Sequence, residues 1–109
     1  MYAVVRNYSG PGAKELFDLI DSRRAEVEEI ISGVQGFVAY TVIHTEDGGV
    51  TVTTCQDKAG TDKSSQKARD WVVANAADLK TNPPTVSEGH VAIKLGLRSE
   101  GIQLRSLWR

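Results

Sequence analysis

Few residues of this chain could act as bases or nucleophiles near neutral pH: two histidines, one cysteine and some serines. His44 abuts a Glu46-Asp47-Gly48-Gly49 turn and His90 follows Glu88-Gly89; both read as strand-edge surface positions, and neither has an evident acid partner or nucleophile, so they are weak evidence for general base chemistry. Cys55 reads as a small buried hydrophobe. A lone cysteine forms no internal disulfide, and with two scattered histidines it offers no zinc-ligand spacing. Ser64 and Ser65 have no positioned base, and no Walker A, GxGxxG or HExxH motif is present. Asn7, Trp71, Arg23 and Arg24 carry more information. Asn7 alternates with Ala3 and Val5 on the strand face expected under the helices, where a buried amide needs partners. It either satisfies local backbone at the strand end or contacts a ligand. Trp71 borders the apolar stripe of a helix, as a core residue or as the wall of a pocket between helix and sheet. Arg23 and Arg24 interrupt an apolar stripe between Ile20 and Val27. They either snorkel toward Glu28 or Asp21, or they face an anion.

The elements that must position these groups follow from periodicity. Tyr2 to Tyr8 is β-branched and aromatic and predicts a strand, ended by Ser9-Gly10-Pro11-Gly12. Leu16, Ile20, Val27, Ile31 and Val34 recur at helical spacing and predict one helix from Ala13 to Ser32, stopped at Gly33 and Gly36. Phe37–His44 and Val50–Gln56 predict a hairpin around Asp47-Gly48-Gly49. A second helix, capped by Thr61 or Asp62, is expected to run to about Leu79 and stop before Asn82-Pro83-Pro84. His90 to Leu95 is the expected fourth strand. This β-α-β-β-α-β order is the ferredoxin-like arrangement, an α+β fold with both helices on one face of a four-stranded antiparallel sheet. The other face is then bare, and Tyr2, Val4, Tyr40, Val42 and Ile93 are the bulky apolar residues available to line it. Two such sheets packed face to face predict a homodimer.

Composition narrows the function classes. With 109 residues the chain makes one domain, placed at 1–95, followed by a locally basic segment 96–109 that reads as an arm on a partner subunit or a loose end. A net charge of −1 gives no electrostatic case for nucleic acid or an anionic membrane. Apolar runs are too short to span a bilayer and no secretory signal is apparent, so a cytoplasmic location is expected.

The segments YAVVRNYSG, AKELFDLIDSRRAEVEEIISGVQGFVAY, GGVTVTTCQD, DKSSQKARDWVVANAADL and VSEGHVAIKL together resemble the dimeric α+β barrel superfamily over about residues 2–95. The likeness is closest to its antibiotic-biosynthesis-monooxygenase-like branch, and the Gly33-x-x-Gly36-Phe37-x-x-Tyr40 junction is its most specific part. The resemblance implies a face-to-face dimer with a pocket between sheet and helices in each subunit. It implies two activities. Heme-degrading members carry an asparagine on the first strand, a tryptophan on the second helix and a heme-ligating histidine about three turns on; Asn7 and Trp71 match, but the stretch VVANAADLKTNPP after Trp71 holds no histidine. Cofactor-free oxygenases use Asn, Trp and Arg side chains to stabilise a substrate carbanion that reduces O₂ directly. The resemblance therefore implies a cofactor-independent monooxygenase of a small quinol or anthrone-like aromatic. Asn7 and Trp71 would be its catalytic residues, with Arg23, Arg24, Val5 and Val72 contacting the substrate. A non-catalytic ligand-binding or stress-related dimer of the same fold is the alternative.

Overall fold

A computed structural model describes residues 1–96. The segment assigned above to a C-terminal arm thus lies outside the described residues, apart from Gly96. The elements are β1 (Tyr2–Tyr8), α1 (Ala13–Ser22), α2 (Arg24–Ser32), β2 (Phe37–Thr45), β3 (Gly48–Cys55), α3 (Lys58–Ala76) with a 3-10 turn (Ala77–Leu79), and β4 (Thr85–His90). The sheet order is β2-β3-β1-β4 and every neighbouring pair is antiparallel, which is the ferredoxin-like topology. Three helices, rather than the expected two, cover one face.

The additional helix arises from a break at Arg23, whose backbone leaves the helical region at φ −114° and ψ 30°. A continuous helix would carry Arg23 and Arg24 through the middle of the apolar stripe and press a charge against the sheet. The break lets Leu16 and Phe17 of α1 and Val27 and Ile31 of α2 each reach the core while both arginines stay in water.

Three further boundaries differ from expectation. The cap of α3 is Asp57, whose carboxylate accepts the Gly60 N–H at 3.1 Å; Thr61 and Asp62 lie inside the first turns. Gly60 looked like a turn residue because the helix start lies directly on β3: a Cβ there would meet the Cys55 Cβ at 2.8 Å. The fourth strand is Thr85–His90, not His90–Leu95. It is an edge strand of weak hydropathy, selected by its pairing with β1 from Tyr2↔His90 to Asn7↔Thr85, and Pro83-Pro84 sits just before it where no ladder bond is lost. In the hairpin only Glu46 and Asp47 separate the strands, and Gly49 lies under the Phe17 ring, which any side chain would displace.

The phase of β1 is opposite to the one expected. Val4, Arg6 and Tyr8 are buried beneath the helices, whereas Val5 and Asn7 are exposed on the open face. Both phases of this strand are apolar enough to be covered. The larger side chains fill the space, Tyr8 meeting Phe17 edge-on at 5.5 Å. The bare face is therefore lined by Val5, Ile43, Val50 and Val52, while Tyr40 and Val42 pack toward the helices and Tyr2 shares the phase of Val4. Ile93 lies beyond β4. No helix among the described residues is long and apolar enough to cross a membrane.

Candidate active site

A bulge between Phe37 and Ala39 sets the phase of β2 so that Tyr40, Val42 and His44 point toward the helices. With α1 and α2 they enclose a cleft of about 460 Å³ at the β2 edge of the sheet. Its walls are apolar, from Ile20, Val27, Phe37 and Val42, and its polar groups are Asp21, Arg24, Glu28, Ser32, Tyr40 and His44. This combination of apolar walls and a few convergent polar groups is typical of small-molecule sites.

The strongest interaction in the cleft joins the last turn of α1 to the end of β2. His44 Nε2 lies 2.7 Å from Asp21 Oδ2. An ionised carboxylate only accepts, so Nε2 donates to it, and in the neutral imidazole Nδ1 is the nitrogen open to a proton. The imidazole also leans edge-on over Phe17, at 6.0 Å between ring centres, which fixes its plane. Burial pushes the Tyr40 phenol up from 10.0 to about 12, so it remains a neutral hydrogen-bond donor. Arg24 has no carboxylate within ion-pair distance among the described residues. The cleft thus holds an oriented base, a neutral phenol and a free cation.

Arg24 is the only residue of the expected site that lines this cleft. Trp71 and Val72 come together on α3, but the cavity beside them, shared with Tyr8 and Tyr40, is only about 30 Å³, room for one water. The indole N–H donates to Glu26 at 2.9 Å, and Arg23 ties Glu26 (3.1 Å) to Asn75 (2.9 Å). Arg23 therefore clamps α2 to α3 on the outside instead of facing a substrate. The Trp71 bond, with help from Arg23, holds the Glu26 carboxyl below its ordinary range. Asn7 and Val5 lie on the opposite face of the sheet from Trp71, so one pocket within the protomer does not contain both. A heme does not fit beside Trp71: the space is water-sized and no imidazole lines it. Among the described residues no three His, Cys, Asp or Glu side chains converge as metal ligands.

The His44–Asp21 pair was missed because its partners are 23 residues apart, on different elements. A signal did exist. Asp21 lies one turn beyond Phe17, and His44 shares the phase of Tyr40 and Val42, so both are polar residues at the ends of buried rows. Arg6 and Tyr8 were missed through the phase of β1.

No protein-family model and no curated protein matches the chain. Solved structures do. The heme-degrader MhuD of Mycobacterium tuberculosis, with two hemes bound in its active site, superposes with a TM-score of 0.62 at 12% identity, over 88% of this chain and 100% of that one. A monooxygenase from ActVA-Orf6 of Streptomyces coelicolor, in complex with nanaomycin D, gives 0.55 at 21% identity, over 87% and 91%. A dimeric ferredoxin-like protein from an uncultured marine organism gives 0.59 at 12%, over 88% and 96%. At these identities the likeness is one of fold. The chain thus has the ferredoxin-like α+β fold of these structures, the fold its sequence resemblance implied.

Proposed function

We propose that the chain is a cofactor-independent monooxygenase of a small quinol or anthrone-like aromatic, bound in the cleft between α1–α2 and β2. The observation that carries this reading is the Asp21-oriented His44 on the rim of an apolar-walled cleft that also holds Arg24. Nδ1 of His44 takes a proton from the acidic C–H or O–H of the substrate. Arg24 and the Tyr40 hydroxyl face the resulting anion and stabilise its charge. The anion reduces O₂ and bonds to it at ring carbon, and the peroxide formed is protonated by the imidazolium. Loss of water then leaves a carbonyl. For an anthrone, one CH₂ and one O₂ become one C=O and one H₂O, so no external electron donor is required. The fold shared with a monooxygenase that binds nanaomycin D supports this reading.

The proposal includes a homodimer in which two open sheet faces meet through Val5, Ile43, Val50 and Val52, with Asn7 among them. The dimeric state of a structural neighbour supports it. Trp71 and Val72 then form the wall behind Tyr8 and Tyr40. The competing reading, a ligand-binding dimer without catalysis, is favoured by the tight packing around Trp71.

Oxygen uptake with a panel of hydroquinones and anthrones tests the activity. Uptake above the rate in buffer, lost in a folded His44→Gln protein, is the expected result. A panel with no member oxidised above that rate, or full activity in His44→Gln, would sink it. Light scattering at micromolar concentration tests the assembly, and a monomer mass would refute the dimer.

A further inference from the structure

On β1, one strand in from the edge strand β4, the chain buries a charge without a counter-charge among the described residues. Arg6 is 2% exposed. Its guanidinium donates to hydroxyls alone: Nε to Ser65 (3.2 Å), one terminal nitrogen to Thr51 and Thr53 (both 3.2 Å), the other to Ser64 (2.7 Å) and Ser65 (3.1 Å). All its N–H groups are satisfied, yet no carboxylate lies within ion-pair distance among the described residues. The nearest ionisable groups, Tyr8, Tyr40 and Cys55, are each held protonated by burial, so none supplies a negative charge near neutral pH. An isolated buried cation is costly, and the hydroxyls around it turn their own protons outward.

One of those hydroxyls, Ser65, opens onto a cleft of about 400 Å³ between α3, the 79–84 segment and β4. A second guanidinium, Arg69, stands one helical turn beyond Ser65 on the same wall. No Asp or Glu lines the cleft, and Val72, Val73, Pro84 and Val86 give it an apolar floor. We propose that this cleft is a binding site for a small organic carboxylate with an apolar body. The carboxylate pairs with the Arg69 fork and accepts from the Ser65 hydroxyl, which Arg6 polarises from behind. Arg6 is here a positioning residue, since its own N–H groups are all engaged. A planar two-oxygen anion matches an exposed guanidinium bidentately, and the floor discriminates in favour of an anion that carries a ring or alkyl body. This inference does not rest on the oxygenase reading, which concerns the cleft at the other edge.

Amide chemical shifts followed during titration with benzoate, benzyl alcohol and inorganic phosphate test it. Benzoate should shift Ser65, Arg69, Val73 and Val86 saturably, about tenfold or more tighter than benzyl alcohol, as one charge-assisted hydrogen bond implies. Arg69→Gln, a surface substitution, should weaken benzoate about tenfold and leave benzyl alcohol unchanged; Ser65→Ala should reduce the same selectivity. Equal affinity for benzyl alcohol, phosphate binding as tight as benzoate, shifts centred on Arg24 and His44, or an Arg69→Gln protein that binds benzoate normally would each overturn the proposal.

Discussion

The two clefts lie at opposite edges of one sheet and handle charge in opposite ways. At the β2 edge the charged groups are half-exposed: Asp21 and His44 have side-chain exposures of 49% and 48%, face each other, and keep contact with water. Behind the cleft at the β4 edge, on the internal strand β1, Arg6 is sealed in and surrounded by neutral hydroxyls. A hydrogen-bonded acid–imidazole pair that reaches both water and the cleft is placed for proton transfer. A fixed cation behind hydroxyls cannot exchange protons but projects a steady positive potential, which suits binding an anion. Identical chemistry is therefore not expected at the two edges, although both are apolar-walled and of similar volume.

The largest expected effect would separate the clefts by activity. His44→Gln should lower oxygen uptake by about 10²–10⁴-fold, the usual contribution of a positioned base, while Arg69→Gln changes it less than twofold. An Arg69→Gln protein as impaired as His44→Gln would collapse the distinction. Next, the stabilities should diverge. Arg6→Ala leaves a cavity and strands four hydroxyls, and should cost about 3–5 kcal/mol in urea denaturation. Arg24→Ala, on the surface, should stay within about 0.5 kcal/mol of the parent. Comparable losses would show that Arg6 is not the sealed charge described.

Alkaline titration gives a third, smaller effect. The Tyr40 phenol titrates near 10 when unfolded and at about 12 when folded. The folded state therefore holds a proton that the unfolded state has released between those values, and stability should fall as pH rises through that window, by about 2–3 kcal/mol in all. It is fully present below pH 10. In Tyr40→Phe this component of the fall should vanish in urea melts run across the window; an unchanged slope would refute the assignment. The smallest effect concerns α3. Asp57→Ala removes its N-cap and should cost about 1 kcal/mol by thermal melting. Because α3 carries Ser64 and Ser65, weaker benzoate binding with unchanged oxygen uptake would sharpen the separation of the two edges.

Most of the architecture was legible because periodicity reports it directly. The order of elements along the chain, the antiparallel hairpin and the helical stretch after the first strand follow from spacing and glycine placement. The break at Arg23 was written in the two arginines that interrupt the stripe, but a one-dimensional pattern does not reveal whether a helix bends or a side chain snorkels. The β1 phase was not legible: Ala3 and Val5 are as apolar as Val4, and only the docking of Tyr8 on Phe17 and of Arg6 on the β3 threonines decides it. That single choice turned Asn7 and Val5 to the open face and buried Arg6 beneath the helices. The fourth strand was misplaced for a related reason, since an edge strand is chosen by its partner's backbone more than by its own side chains.

The buried guanidinium of Arg6 also constrains how the chain can fold in time. Its hydroxyl partners lie 45, 47, 58 and 59 residues downstream, on β3 and α3. The charge gains nothing by leaving water until the hairpin and then α3 have both reached β1. Its dehydration is expected after the rate-limiting barrier: in stopped-flow kinetics, substitutions at Thr51, Thr53 or Ser64 should accelerate unfolding and leave the folding rate almost unchanged, and slowed folding would refute that order.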